Sequence, residues 1–310
     1  MTIEVRPPWL DEAGALADLI NRDAQELFGE QDETPESIAL WLTGPGLDPE
    51  TDSRVAVVTG GLRGYVDIDA HPDPTYWVDL RVPPSEDVVV RRSLIDWAEE
   101  RAAERGAGKQ GALVRFYTAS VDRPTKEELE ARGYRLIRHS YRMRIDFEGE
   151  PAQPQWPDGV TVRLGTGADA QIAYDVQQET FEDSWEHHPD PFDEWSHWMT
   201  SYDGFDPSLW FMAEAGQEVV GISLCRMHEA EEGLGWVRVL GVRRPWRRRG
   251  LGRALLLHTF HEFRQRGVTA VALGVDAESL TGANRLYESA GMRVVRQHDI
   301  YEKELRAGTV

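Results

Sequence analysis

Residues 239–253 read Val239-Leu240-Gly241-Val242-Arg243-Arg244-Pro245-Trp246-Arg247-Arg248-Arg249-Gly250-Leu251-Gly252-Arg253, and this stretch decides the fold. An apolar strand runs into a glycine-containing turn, and the turn opens a helix. Six arginines fall between positions 243 and 253 of a chain whose formal net charge is −20. Backbone N–H groups at a helix start have no partner inside the helix and point outward, so they bind anions. Gly250 and Gly252 remove side chains where an anion must come close, and the arginines add charge-assisted hydrogen bonds. The ligand this suggests is a small polyanion carrying a pyrophosphate. Two glycines alone are a weak signal, since such spacings are common; strand, arginines, glycines and helix in this order are more specific. Competing readings of the same arginines are a solvated helix face, a docking surface for acidic proteins and a nucleic-acid patch.

The rest of the composition narrows these choices. A net charge of −20 argues against general nucleic-acid binding, because phosphate repels it at long range, and favours cationic small molecules such as amines. No apolar run reaches the roughly 18 residues needed to cross a bilayer, so no membrane partner is expected. The opening Met1-Thr2-Ile3-Glu4-Val5-Arg6 lacks the basic-then-apolar pattern of a secretion signal. The single cysteine, Cys225, excludes an internal disulfide and suits a reducing compartment, which together predict a cytoplasmic chain. Cys225 lies in an apolar run, Val219 to Cys225, and reads as a small core residue.

Working outward, the chain of 310 residues reads as the same unit twice. Residues 148–159, EGEPAQPQWPDG, carry three prolines and no periodicity, as a linker would. On either side the order is a short strand (Ile3 to Arg6; Val160 to Arg163), a helix (Asp11 to Phe28; Ala168 to Phe181) and a second helix (Pro35 to Leu42; Phe192 to Met199). Three strands follow (54–58, 64–68 and 76–82; 209–213, 219–225 and 235–242), then a long amphipathic helix ending at a glycine (Val88 to Gly106; Leu251 to Gly267). A strand (112–117; 270–275), a short helix ending Gly133-Tyr134 or Gly291-Met292, and a closing strand (135–147; 293–304) complete each half. The expected class is α+β, two tandem domains at 1–148 and 159–310 joined by residues 149–158, each a mixed, mostly antiparallel sheet flanked by helices.

A second stretch, Ala283-Asn284-Arg285-Leu286-Tyr287-Glu288-Ser289-Ala290-Gly291-Met292, joins the first. Together they resemble the GNAT superfamily of N-acetyltransferases. Its phosphate signature Gln/Arg-x-x-Gly-x-Gly/Ala is met by Arg247, Gly250 and Gly252; its later signature Ala-x-x-Leu-Tyr-x-x-x-Gly-Phe is met by Ala283, Leu286, Tyr287 and Gly291, with Met292 in place of Phe. The tandem layout resembles mycothiol synthase and related two-domain actinobacterial acetyltransferases. This resemblance implies acetyl-coenzyme A as co-substrate, no metal, and a small-molecule amine as acceptor that attacks the thioester directly. It assigns the pyrophosphate to Arg247, Arg248, Arg249, Gly250, Leu251, Gly252 and Arg253, and the pantetheine arm to the strand Leu240-Gly241-Val242. It makes the Leu240 N–H an oxyanion donor and Tyr287 the acid that protonates the departing thiolate, which a phenol of ordinary pKa about 10 suits. The competing reading of Tyr287 is a packed helix aromatic. A monomer or homodimer is expected.

Departures from the pattern concern the acceptor. Ser279 stands where the family often has an Asn against the cofactor; it either hydrogen-bonds there or caps the helix that follows. Trp236 stands where many members carry a Glu base, and Trp cannot accept a proton. Either the base comes from elsewhere or the amine arrives with a lowered pKa. Period-2 alternation puts Trp236, Arg238 and Leu240 on one face, with Trp236 and Arg238 shaping an acceptor pocket and Arg238 reading an acceptor carboxylate. In the family the segment between the first two helices lines the acceptor cleft; here it is residues 181–192, FEDSWEHHPDPF. Glu182, Asp183 and Glu186 are candidates for the ammonium and His187 for the base, against the reading of an exposed polar loop; the His-His-x-Asp cluster lacks the spacing and the Cys partner of a metal site. In the first half the matching turn, Pro83 to Arg91, has Glu86 near the signature arginine and Val89 and Arg91 near its glycines, while Leu129 matches Tyr287. That half is expected to be a non-catalytic buttress. The reading kept in reserve is a non-catalytic acyl-coenzyme-A-binding regulator descended from such an enzyme.

Overall fold

The computed structural model describes residues 2–70, 74–202, 204–228, 230–279 and 281–305. It forms two compact units: residues up to Ser140 together with those from Arg296 onward, and Tyr141–Val295.

In the first unit β1 (Glu4–Arg6) leads to α1 (Ala13–Phe28), α2 (Pro35–Thr43) and α3 (Pro49–Asp52), a turn of helix absent from the sequence reading. Strands β2 (Ser53–Val58), β3 (Gly61–Ala70) and β4 (Thr75–Arg81) follow, then α4 (Val88–Gly106), β5 (Leu113–Ala119) and α5 (Arg123–Ala131). The next strand, β6 (Arg135–Asp146), belongs to this unit only in its first half. The sheet runs β1-β2-β3-β4-β5 and ends on the chain's last strand, β12 (Arg293–Glu304). Among β1 to β5 and β12, as described, β4 and β5 pair parallel and the other neighbours antiparallel. Tyr76, Val78, Leu80 and Val82, every second residue, face α4 through Val90, Leu94 and Ala98.

The second unit takes the second half of β6, then β7 (Val160–Leu164), α6 (Ala170–Phe181), α7 (Phe192–Thr200), β8 (Trp210–Ala215), β9 (Glu218–Met227) and β10 (Leu234–Val242). α8 (Leu251–Gln265), β11 (Ala270–Asp276) and α9 (Ala283–Ser289) complete it, with strand order β6-β11-β10-β9-β8-β7. One face of the sheet is covered by α8 and α9 through Leu251, Leu255, Phe260, Phe263 and Tyr287. The other is covered by α6 and α7 through Ala173, Val176, Trp195 and Met199. Cys225 is buried beside Ser223 and Thr259, and burial pushes its thiol up to about 12, as befits an inert core residue. Trp156, from the proline-rich segment, packs edge-on against His258 of α8 with ring centroids 5.7 Å apart. Among the described residues no helix is long and apolar enough to cross a membrane.

Two expectations need correction. The closing strands are exchanged: His298 to Glu304 of β12 pair with Ala119 to Leu113 of β5, while β6 from Tyr141 onward stands in the other unit. Both strands occupy the same place in the element order, so the exchange changes no local pattern and leaves no trace in the sequence. Gly267 ends α8 in the left-handed conformation (φ 82°), but Gly106 is the last helical residue of α4 and not its left-handed cap. Its lack of a side chain serves packing, since a Cβ there would lie 3.2 Å from the Cβ of Ala112.

Asp23 of α1 is 3% exposed and one of its carboxylate oxygens has no hydrogen-bond partner. Burial pushes its pKa up to about 7. The folded chain therefore keeps a proton that the unfolded chain has already lost, so this group lowers stability as pH rises from about 4 to 7. Asp23→Asn should remove that dependence. Its gain over the wild type in chemical denaturation should be larger at pH 8 than at pH 4.5, by on the order of 2–4 kcal/mol.

Candidate active site

The site is organised by one irregularity in β10. Leu234 to Val237 pair parallel with Ala270 to Leu273 of β11, and the ladder stops there. On the other edge, Val237 opposes Cys225 of β9 but Val239 already opposes Leu224, so Arg238 is an extra residue, a β-bulge. The bulge shifts the side-chain phase. Val237 packs on the α8 face and Val239 on the α6 face; beyond it, Leu240 and Val242 return to the α8 face, where Tyr287 also lies. Trp236, Arg238 and Leu240 therefore do not share a face. Trp236 packs with Leu234, Ala270 and Ala272 instead.

Past the bulge, β10 has a strand neighbour on one edge only among the described residues. The Arg243 N–H donates to the Val220 carbonyl at 3.0 Å, toward β9. Strand alternation then turns the peptide groups of Leu240 and Val242 toward the edge that β11 has left. The Val242 carbonyl on that edge accepts from Arg247 Nε at 3.0 Å. Gly241 allows α6 to sit directly on the strand: a Cβ there would lie 2.4 Å from Thr180 Oγ1.

The turn that follows joins a left-handed backbone to an uncapped helix start. Arg248 (φ 60°) and Gly250 (φ 86°) both adopt the left-handed conformation. No side chain caps α8, and its first backbone bond runs from the Ala254 N–H to the Gly250 carbonyl at 3.0 Å. The N–H groups of Leu251, Gly252 and Arg253 thus precede the helix's own hydrogen bonds. Gly252 serves packing as well, for its Cβ would lie 3.1 Å from Leu286 of α9. The six arginines divide into two sets. Arg243 pairs with Glu179 and Glu218, each at 3.1 Å; Arg244 pairs with Glu182 at 3.0 Å and Asp183 at 2.6 Å; Arg247 pairs with Asp183 at 2.9 Å. Arg248, Arg249 and Arg253 have no carboxylate partner among the described residues, and Arg249 lies 5.1 Å from the Trp246 ring centroid.

Tyr287 is 8% exposed on α9, and burial pushes its pKa up to about 12. Its hydroxyl has no hydrogen-bond partner among the described residues. Ser279 does not cap α9, whose N-cap is Gly282 with no side-chain bond; its hydroxyl meets Thr281 Oγ1 at 2.9 Å. The turn before α9 is held instead by Asn284, which donates to the carbonyls of Asp276 (3.1 Å) and Ala277 (2.8 Å).

On the acceptor side two of the three carboxylates expected to meet an ammonium are engaged by arginines. Glu182 and Asp183 hold Arg244, and Asp183 also holds Arg247. Arg238 donates to the Trp198 carbonyl of α7 and does not stand open for a carboxylate at that nitrogen. Trp236 lies between Arg142, 5.0 Å from its ring centroid, and His228, at 5.8 Å between centroids. His187 is half-buried with Nε2 unpartnered, and burial lowers its pKa, so it is a neutral imidazole at pH 7. Glu186 beside it adopts φ 47°. Among the described residues no group of three or more His, Cys, Asp or Glu is placed to hold a metal ion.

Comparison with known proteins agrees with this geometry. Residues 170–292 match the Acetyltransferase (GNAT) family. A mycothiol acetyltransferase of Thermobispora bispora is 32% identical over 233 residues, covering 67% of this chain and 72% of that protein. One from Streptomyces scabiei is 31% identical over 174 residues, so the chain spans about half the length of that relative, 54%. A GCN5-related N-acetyltransferase from Sphaerobacter thermophilus superposes with a TM-score of 0.80 at 32% identity, over 99% of this chain and 96% of that one. The chain belongs to the GNAT family of acetyltransferases. A tandem GNAT protein from the clavulanic acid biosynthesis pathway, solved without AcCoA, shares the fold over 100% of both chains (TM-score 0.77, 15% identity).

The first unit keeps the GNAT scaffold without these features. Asp87 caps α4, accepting from the Val89 N–H at 2.9 Å, so a carboxylate already occupies that helix start. Arg91 is 1% exposed and reaches Thr125 Oγ1 and the Val82 carbonyl. The Leu129 carbonyl accepts from the Tyr134 N–H after α5, as the Tyr287 carbonyl does from the Met292 N–H after α9; the two residues hold the same place in the same cap. Where β4 and β5 separate beyond Asp79 and Tyr117, Asp23, Asp79, Arg81, Tyr117 and Asp122 leave a cavity of about 20 Å³, room for one water.

Gly241→Ala should destabilise the chain by about 1–3 kcal/mol, because Thr180 must move. Pairing it with Thr180→Ala should recover most of the loss in thermal melts; full stability of the single variant would contradict the close approach of α6 and β10.

Proposed function

We propose that the second unit binds acetyl-coenzyme A and transfers its acetyl group to the amine of a small molecule, with the first unit as a non-catalytic partner domain. The supporting observation is the coincidence of an uncapped helix start, three arginines without carboxylates and a strand edge that β11 has left. The residues fit the donor: the N–H groups of Leu251, Gly252 and Arg253, with Arg248, Arg249 and Arg253, would hold the pyrophosphate, and the open edge at Leu240 and Val242 would pair with the pantetheine arm. When bound, the donor supplies an activated acyl thioester. The Leu240 N–H then donates to the acyl oxygen as charge develops there. Tyr287 supplies the proton for the departing sulfur. Its raised pKa keeps the phenol protonated from neutral pH to beyond pH 10, and its hydroxyl has no other bond to give up. His187 takes the proton of the attacking amine, in place of the carboxylate that Trp236 lacks. Curated relatives named for mycothiol support a small-molecule amine as acceptor. One buried cysteine and the acidic charge support a cytoplasmic setting.

Tyr287→Phe should lower kcat about 100-fold with an unchanged coenzyme A Kd by calorimetry. Free-thiol release from acetyl-coenzyme A against a panel of amines separates an enzyme from an acyl-coenzyme-A-binding regulator: binding without release by any amine would favour the regulator. Absence of coenzyme A binding at low salt would defeat both.

A further inference from the structure

Arg247 occupies the signature position of the phosphate turn, yet every one of its nitrogens is engaged within the chain. Nε donates to the Val242 carbonyl at 3.0 Å, Nη2 to the Thr180 carbonyl at 2.9 Å, Nη1 to Asp183 at 2.9 Å, and the backbone N–H to the Arg244 carbonyl at 3.2 Å. Three elements meet at this one guanidinium: the end of β10, the last turn of α6 and the loop that follows α6. We propose that Arg247 is a positioning residue that clamps the acceptor loop, residues 182–191, to the donor strand, and that the phosphate falls to Arg248, Arg249 and Arg253. The proposal rests on the acetyltransferase reading for what the loop does, though the clamp itself does not depend on it.

The chemistry of each contact supports this. Thr180 lies in the last turn of α6, whose carbonyls have no partner within the helix and carry the negative end of its dipole, so a guanidinium is well placed there. Val242 offers a carbonyl that β11 has left. A phosphate drawing Arg247 away would strand both carbonyls. Arg244 strengthens the hold on Asp183 with two bonds, at 2.6 and 3.1 Å. From this anchored point the loop turns tightly, the Ser184 N–H donating to Phe181 at 2.7 Å and the His187 N–H to Ser184 at 3.2 Å. The unpartnered Nε2 of His187 is therefore set, through Asp183, by the same arginine that grips the donor strand. A surface ion pair alone would contribute little; the two backbone carbonyls distinguish this clamp from one.

The test compares Arg247→Gln and Asp183→Asn with the double variant Arg248→Ala/Arg249→Ala, all checked for folding by thermal melts. The clamp variants should keep coenzyme A Kd within about twofold and lower acceptor kcat/KM at least tenfold, mainly through KM. Asp183→Glu should restore most of that loss, and the double arginine variant should show the reverse pattern. Independently of turnover, hydrogen exchange at the Ser184 and His187 amides should speed up in Arg247→Gln. Loss of coenzyme A affinity in Arg247→Gln as large as in the double variant would overturn the clamp, as would unchanged exchange at both amides. If the wild type moved no acetyl group while Arg247→Gln still loosened the loop, the functional reading would fall and the clamp would stand.

Discussion

The faces that the β10 side chains take in the second unit depend on the extra residue that Arg238 adds to the strand. Without it, period-2 alternation would carry Val237 and Val239 to the α8 face together and turn Leu240 to the α6 face. With it, Val239 seals the core under α6 and α7 while Leu240 and Val242 join the α8 face beside Tyr287. The parallel ladder to β11 ends at Val237, immediately before the bulge, so the five residues that follow keep an unpaired edge. A buried strand edge with free peptide groups is costly unless something satisfies them. Arg247 satisfies one, the Val242 carbonyl.

The charge distribution follows a second constraint. In a chain with 54 acidic and 34 basic residues, only three of the six clustered arginines are paired with carboxylates among the described residues. The end of α6 supplies Glu179, Glu182 and Asp183, and β9 supplies Glu218. These reach Arg243, Arg244 and Arg247, which flank the strand end, and not Arg248, Arg249 and Arg253, which surround the uncapped helix start. Carboxylates around the entrance thus tie the loop down, while the helix start stays positive where an anion would sit.

Much of this was legible in the residues. The duplicated element order and the anion-binding turn were read from periodicity, glycines and the helix start, and the lack of a base at Trp236 from the family resemblance. What stayed hidden was whatever depends on pairing between distant segments. No local pattern marks a bulge inside an apolar strand such as Val237-Arg238-Val239, so the shared face assigned to Trp236 and Leu240 failed. The carboxylates of residues 182 and 183 were visible as acidic but not as partners of arginines some 60 positions on. The exchange of β6 and β12 is silent because both read as closing strands. A partial signal existed for Gly241, which interrupts an apolar strand and proved to mark the close approach of α6.

The first unit supplies a control within the same chain. Tyr76, Val78, Leu80 and Val82 keep strict alternation toward α4, and the β3–β4 register runs unbroken from Tyr65↔Arg81 to Ala70↔Tyr76. Here the strand has no bulge, the helix start is capped by Asp87, a buried arginine stands near the signature glycine, and leucine holds the place of Tyr287. Each change alone would weaken donor binding or proton transfer, and they concern different chemistry: peptide edge, anion, close approach and acid. Yet α4, the five sequential strands and the cap after α5 remain, because those features carry the core. The first unit keeps the core that these elements build while its helix start, its Leu129 position and its unbulged β4 differ from their counterparts in the second unit.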